Sequence, residues 1–188
     1  MKTYCKGLRV THELVLDAYE EWVKAQSGKK NDWRLLKEYR LPHFLAEEIV
    51  YEIEQRNLSF KPISYHNEYE RNGKLRRIGQ ESVKQQIVDY VLICALKELF
   101  EDKIGFYQVS SIKGKGPIFG AKRVQKWVTD EDLPYVHADI KKCYESFDKK
   151  LVYDTYAKYV KSKDLLYVIS VLLDTYEKGL GIGSAFSL

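Results

Sequence analysis

Cysteine is scarce in this sequence, and its distribution excludes a disulfide framework and a structural zinc site. The 188 residues contain three cysteines, Cys5, Cys94 and Cys143, which are odd in number and far apart. No Cys-x-x-Cys pair and no Cys/His spacing typical of zinc ligands occurs. We therefore expect free thiols, which are typical of a reducing compartment such as the cytoplasm.

Long apolar runs are also lacking. No stretch reaches the roughly 20 apolar residues that a membrane-spanning helix needs. Residues 1–10 are polar and basic, unlike the apolar centre of a signal peptide. The sequence thus predicts a soluble cytoplasmic protein without a membrane partner.

Basic residues are concentrated in the middle of the chain. The net charge is only +4, but residues 71–126 hold 12 Lys and Arg against 5 Asp and Glu. Between Lys103 and Lys126 there is no acidic residue at all. This pattern indicates a polyanionic partner that binds one face. A solvated basic surface is the alternative, and charge alone favours it.

The first sixty residues have helical periodicity. The apolar residues that repeat every four positions are Leu14, Ala18 and Trp22, then Leu45, Ile49 and Ile53. Pro42 suits the first turn of the second of these helices. Asn31 is a candidate cap for a short helix between them.

A β-hairpin is predicted next, because residues 62–70 alternate and the dipeptide Asn72-Gly73 precedes a second strand that ends near Ile78. The remaining elements follow from apolar spacing and from glycine and proline positions. They are a long helix at 81–101, a strand at 106–112, a glycine loop at 113–117, a helix at 118–127, a buried strand at 133–140, and helices at 149–159 and 163–178. This order predicts an α+β fold.

One segment combines residues that suit phosphoryl transfer. Asp139 ends the predicted strand at 133–140, and Tyr144 follows five residues later. A carboxylate held on a sheet can bind Mg²⁺, and an aromatic ring nearby can wall a sugar pocket and reject a 2′-hydroxyl. For this segment alone, a helix cap or turn residue at Asp139 is the simpler interpretation.

Three further segments occur with it in a fixed order. The four blocks are Gly-Lys-Leu-Arg-Arg-Ile (73–78) with Gln-Gln-Ile-Val (85–88), Lys-Gly-Lys-Gly (113–116) before Ala-Lys-Arg-Val (121–124), Ala-Asp-Ile-Lys-Lys-Cys-Tyr-Glu-Ser (138–146), and Gly-Leu-Gly-Ile-Gly-Ser-Ala-Phe-Ser (179–187). From about Ser59 to Leu188 the chain therefore resembles the bacterial reverse transcriptases, which include group II intron, retron and diversity-generating enzymes.

The resemblance implies a right-hand polymerase fragment with a helical N-terminal region (1–58), fingers (59–133) and a partial palm (134–188). The complete enzyme would extend a DNA or RNA primer on an RNA template, using dNTPs and two Mg²⁺ ions. Asp139 would be a ligand of both ions, and the Ile140 carbonyl a lesser ligand of one. Tyr144 would be the sugar gate.

Other positions acquire roles from the same resemblance. Arg76 and Arg77 would meet the incoming triphosphate, and strand alternation should send only one of them to that face. A solvated hairpin edge is the alternative for either arginine. Lys74, Lys113 and Lys115 would contact nucleic-acid backbone. Gly183 and Ser184 would lie close to the nascent base pair and the primer.

Two departures narrow the expectation. Group II enzymes have Pro and Gln where this chain has Gly181 and Ile182, so the retron and diversity-generating branches fit better. The family's catalytic Asp pair lies in a downstream Tyr-x-Asp-Asp hairpin, and the sequence stops at Leu188 before it. We therefore expect a truncated and inactive fragment that can self-associate through its open palm edge. The alternatives are a defence polymerase with untemplated synthesis and a non-catalytic truncation that binds RNA or protein.

Overall fold

The computed structural model describes residues 1–25, 42–69, 73, 75–110, 112, 114–129, 134, 136–181 and 184–185. The elements in these ranges are α1 (His12–Ala25), α2 (Pro42–Glu54), β1 (Ser64–Tyr69), β2 (Leu75–Gln80), α3 (Val83–Ala95), α4 (Lys97–Lys103), α5 (Pro117–Thr129), α6 (Cys143–Ser146), α7 (Lys149–Tyr159) and α8 (Lys163–Asp174). The mixture of helix and strand confirms the α+β class in general terms. Of the described helices, none is both long enough and apolar enough to cross a membrane.

The hydrophobic core lies between α1, α2, α3 and α8. Its largest fully buried apolar side chains are Trp22, Ile49, Ile53, Ile87, Leu92, Leu96, Leu165 and Ile169. The four-residue periodicity predicted for α1 and α2 is confirmed, since Ala18 is buried with these residues. All three predicted segments of the chain contribute to this one core, while their boundaries at 58 and 133 stay a prediction.

The N-terminal segment is fixed to the junction of α7 and α8. The Tyr4 amide donates to the Tyr159 carbonyl (2.8 Å), and the Lys161 amide donates back to Tyr4 (3.0 Å). Ser162 caps α8 by accepting from the Leu165 amide (3.2 Å), and its hydroxyl donates to the Leu8 carbonyl (2.6 Å). These contacts hold residues 4–8 against residues 159–162, which are far away in the sequence.

The predicted hairpin is confirmed. Strands β1 and β2 pair antiparallel, from Ser64 opposite Gln80 to Tyr69 opposite Leu75. Gly73 has φ of +81°, which an L residue rarely adopts, as expected for this turn. Residues 70–72 and 74 lie outside the described residues.

The single long helix predicted at 81–101 is wrong. Ser82 caps α3 by accepting from the Gln85 amide (3.2 Å), and the helix ends at Leu96 (φ −98°, ψ 10°) before α4 begins. Leu96 and Leu99 are both buried. Because the apolar pattern continues through the break, periodicity alone did not show it.

The strands predicted at 106–112 and 133–140 do not form in the described residues of those segments. Residues 136–140 are exposed, with Val136 at 93% of its full accessibility. A strand needs a neighbour to satisfy its amides and carbonyls, and β1 and β2 are the only pair in the described ranges. The helices predicted at 118–127 and 149–159 are confirmed as α5 and α7, whereas α8 ends four residues before the predicted 178. The helix predicted after Asn31 falls outside the described residues.

Candidate functional site

The candidate catalytic carboxylate lies on an exposed loop. Asp139 is exposed, and the neighbouring Ile140 retains 67% of its accessibility. The chain turns at Lys142, which has a left-handed conformation (φ 53°, ψ 42°), and then enters the short α6 that contains Tyr144. Asp139 is therefore accessible to solvent, instead of ending a buried strand as the sequence predicted.

The described residues do not form a metal centre by themselves. No group of three or more His, Cys, Asp or Glu side chains converges within the ranges that the structure describes. Asp139 with the Ile140 carbonyl is one carboxylate and one neutral oxygen, which cannot balance two divalent ions. A two-metal site at Asp139 requires further carboxylates.

Within the glycine-rich segment (179–184), residues 179–181 pack against Tyr144 and Tyr176. The Leu180 amide donates to the Tyr144 carbonyl (2.9 Å). A Cβ atom at Gly179 would overlap that same carbonyl, and one at Gly181 would overlap the Tyr176 ring. Gly179 also has φ of +56°. Only glycine fits this approach, so two blocks that are 35 residues apart in sequence meet here.

Ser184 connects the glycine-rich segment to α3. Its hydroxyl donates to Asp89 Oδ2 (2.6 Å), and both residues are buried, at 4% and 1% of full accessibility. The Ser184 side chain thus lies in the interior, while the expectation that the backbone at this position packs close to the primer stays a prediction. Gly183 and Ile182 lie outside the described residues.

A buried polar network surrounds this contact. Glu81 Oε1 accepts from the Tyr176 hydroxyl (2.9 Å) and from Gln85 Nε2 (3.0 Å). Burial raises the pKa of Glu81 above its ordinary value, and burial together with Glu81 raises that of Tyr176. The sequence interpretation missed this network. One signal was available, since Glu81 just before α3 and then Gln85 and Asp89 within it follow one another at four-residue steps.

A small cavity opens in the same place. It is lined by Glu81, Gln85, Tyr176, Gly181 and Ser184 together with Leu172, and its volume is about 10 Å³. The Gln85 Oε1 atom is buried and has no hydrogen-bond partner among the described residues. A cavity of this size holds about one water molecule and is far too small for a nucleotide.

The two arginines that the sequence predicted in the fingers, Arg76 and Arg77, differ in exposure. Arg77 is exposed, and its guanidinium stacks on the Tyr65 ring at 3.9 Å, whereas Arg76 is half-buried and lies opposite Glu68. This difference agrees with strand alternation, which puts the two arginines on opposite faces of the hairpin. At its other end the hairpin reaches the site, since a Cβ at Gly79 would meet the Tyr176 ring at 3.4 Å.

The glycine loop has the conformation that its sequence predicts. Gly114 and Gly116 have φ of +79° and +140°. Lys115 turns back and donates to the carbonyls of Phe106 (2.5 Å) and Gln108 (3.4 Å). Lys74 and Lys113 lie outside the described residues.

The structure thus joins three of the four blocks, namely the fingers helix, the Tyr144 segment and the glycine-rich segment. In comparisons with known proteins, no protein-family model and no curated protein matches this chain. The functional interpretation therefore depends on the sequence blocks and on the contacts between them.

Proposed function

We propose that this chain is the fingers and part of the palm of an RNA-directed DNA polymerase of the bacterial reverse transcriptase type. The observation that carries the proposal is the contact between the glycine-rich segment and Tyr144. A nucleotide pocket needs a sugar-gating ring on a fixed backbone, and the Leu180 hydrogen bond and the Gly179 contact fix the backbone of Tyr144. Chance similarity of short motifs gives no reason for these two blocks to touch.

In this proposal Asp139 supplies one carboxylate ligand for Mg²⁺, and its exposure leaves it open to ions and nucleotide. When bound, the two ions would hold the attacking and leaving oxygens of phosphoryl transfer. The proposal therefore requires further carboxylates beside Asp139 to complete the metal centre. The role of this chain's own residues is to position Asp139 and to wall the sugar pocket with Tyr144.

The partners in the proposal are an RNA template, a primer and dNTPs, in the cytoplasm. The basic middle of the chain supports a nucleic-acid partner. Arg77, exposed on β2, is the arginine better placed to meet a triphosphate, because Arg76 is half-buried. Self-association through an open sheet edge stays a prediction.

The proposal is tested first by nucleic-acid binding of the 188-residue chain. The affinity for a primed RNA template should fall with rising salt, because phosphate contacts release counterions. Replacing Lys113 and Lys115 together with Ala should lower the slope of log K against log salt by about 1 per lost phosphate contact. Fluorescence anisotropy between 50 and 300 mM salt, concentrations of the order used for such slopes, measures both quantities.

Lys2→Ala is the matched control. Lys2 is already paired with Glu98 (2.9 Å) and Asp102 (2.5 Å), so its loss should leave the slope unchanged. A chain that shows no affinity for nucleic acid at low salt, or an affinity that is flat across salt, would contradict the proposed polymerase.

A further inference from the structure

Helix α5 lies outside the hydrophobic core. None of its residues is buried, and none belongs to the core cluster. Phe119, Arg123 and Trp127 follow each other at four-residue steps, so they share one face of the helix. The loop that contains Phe106 and Tyr107 packs against this face. The chain therefore keeps a group of large aromatic side chains away from its core.

The four rings form a continuous row, which we call the aromatic patch (Phe106, Tyr107, Phe119 and Trp127). Phe106 meets Phe119 edge-on with centroids 6.0 Å apart, and Tyr107 meets Trp127 in the same way at 5.0 Å. Phe106 and Tyr107 contact each other at 5.2 Å. Phe119 and Trp127 are eight residues apart, so the row is about 12 Å long.

Two of the four rings in the aromatic patch are exposed, while Phe119 and Trp127 are half-buried. Phe106 keeps 57% and Tyr107 keeps 61% of its accessibility. If the rings served only to attach the loop to α5, we would expect the two loop rings to be covered, because burying aromatic surface is what stabilises such a contact. Their exposed surface is available for a ligand with flat apolar groups.

Two cations border the same rings. The Lys115 ammonium lies 4.8 Å from the Phe106 ring centroid, and the Arg123 guanidinium lies 5.4 Å from the centroids of both Phe106 and Phe119. No acidic residue occurs in the sequence between Lys103 and Lys126. Lys115 also donates to backbone carbonyls, and neither cation has an acidic partner among the described residues. The patch thus combines exposed ring surface with positive charge, which is the chemistry that binds bases and phosphates together.

We infer that the aromatic patch binds single-stranded nucleic acid, with bases stacked on its rings and phosphates beside Arg123 and Lys115. This inference rests on the proposed function, which requires a nucleic-acid partner, and it specifies the strandedness and the residues. Stacking needs bases that are free of their own stack, so a duplex offers no equivalent surface. The positive charge of Arg123 and Lys115 favours nucleic acid over an apolar protein partner, because an apolar partner offers no anionic group to pair with these cations.

The test compares two DNA 12-mers of equal charge, one made of thymidines and one made of abasic nucleotides. The chain should bind the thymidine strand about tenfold more tightly, because only that strand has bases to stack. Tyr107→Leu and Phe106→Leu keep apolar volume but remove a ring, and each should reduce this preference while the salt slope stays the same. Arg123→Gln should instead lower the salt slope by about 1.

Phe44→Ala is the control, because Phe44 on α2 is 63% exposed and belongs to no ring contact of the patch. It should leave both strands' affinities unchanged. Circular dichroism of every variant shows whether the fold is kept. Leucine is chosen because it keeps apolar volume, so these variants should fold. If the chain binds both strands equally, or if the leucine variants keep the full preference for bases, the aromatic patch does not bind single strands. The proposed function survives that result, whereas it fails together with this inference if neither strand binds at all.

Discussion

At the scale of single residues, two glycines allow the closest approach in the candidate site. Gly179 and Gly181 lie where any side chain would overlap the Tyr144 carbonyl or the Tyr176 ring. The contact between the glycine-rich segment and Tyr144 therefore depends on the absence of a Cβ atom, and it is sensitive to the smallest possible substitution.

Gly179→Ala should destabilise the chain more than Gly7→Ala. Both glycines have positive φ, +56° and +73°, so alanine is strained at either position by about 1 kcal/mol. Only Gly179 has a backbone carbonyl in the space that the Cβ would occupy, since nothing lies within 4 Å at Gly7. Urea unfolding should show an additional loss of about 1–3 kcal/mol at Gly179. Equal losses for the two variants would mean that the segment does not pack on Tyr144 as described.

The Glu81 carboxyl makes the stability of the chain depend on pH. Burial raises its pKa in the native state above the ordinary value of 4.5, so the native chain holds the proton when the unfolded chain has released it. The free energy of unfolding should therefore fall as pH rises from about 4.5 towards the raised native value.

Glu81→Gln keeps the oxygen that accepts from Tyr176 and Gln85 but does not titrate. The difference in stability between this variant and the parent should grow in favour of the variant as pH rises through the same window. Urea unfolding of both proteins between pH 4 and 8, a range that brackets ordinary carboxyl values, measures this difference. A difference that is constant with pH would show that Glu81 is not desolvated.

At the scale of elements, the sequence predicted structure well where the cause was local. Three such features are the turn conformation of Gly73, the four-residue spacing of Ala18 and Trp22, and the start of α2 at Pro42. Each depends on a few neighbouring residues. Local signals failed where the structure of a segment depends on contacts with another part of the chain. The apolar residues around Val136 have strand character, but no neighbouring strand pairs with them in the described part of the chain.

The candidate site shows the same division. The glycines at 179 and 181 were recognisable from their pattern, but the Tyr144 carbonyl and Tyr176 ring that require them come from other elements. The buried Glu81–Tyr176 hydrogen bond joins residues 95 apart, and no local pattern specifies it. The sequence patterns therefore predicted the blocks, whereas the contacts between the blocks are visible only in the structure.

Ser162→Ala tests how strongly the N-terminal segment is held to the start of α8. The change removes the cap on the Leu165 amide and the hydrogen bond to the Leu8 carbonyl. Losing a cap costs about 1 kcal/mol, and a carbonyl left without its donor adds to this, so we expect a loss of about 1–3 kcal/mol in urea unfolding.

Ser170→Ala is the matched control, because the one hydrogen bond of its hydroxyl in the described part of the chain goes to the Tyr167 carbonyl within the same helix (2.7 Å). That carbonyl belongs to a helical turn, so the control should lose much less. If Ser162→Ala costs no more than Ser170→Ala, the N-terminal segment is not anchored through Ser162.

At the scale of the whole molecule, one core joins the predicted N-terminal, fingers and palm segments, and two features extend from it. One is the exposed Asp139 loop, and the other is α5 with its aromatic patch. Both features are accessible, and in the proposed function both face a polymerase's nucleic acids.

The most direct test is nucleotide incorporation by a polymerase that contains these 188 residues together with the further carboxylates that the proposal requires. Asp139→Asn should abolish incorporation and leave thermal stability nearly unchanged, because the side chain is exposed. Asp148→Asn is the control, since Asp148 caps α7 by accepting from the Leu151 amide (3.0 Å) and Asn caps about as well. Tyr144→Ala should retain dNTP incorporation while admitting rNTPs, because a steric wall disappears with its ring. Incorporation measured side by side with dNTPs and rNTPs should show these losses, whereas robust synthesis by Asp139→Asn or unchanged exclusion of rNTPs by Tyr144→Ala would contradict the assignment of the palm block.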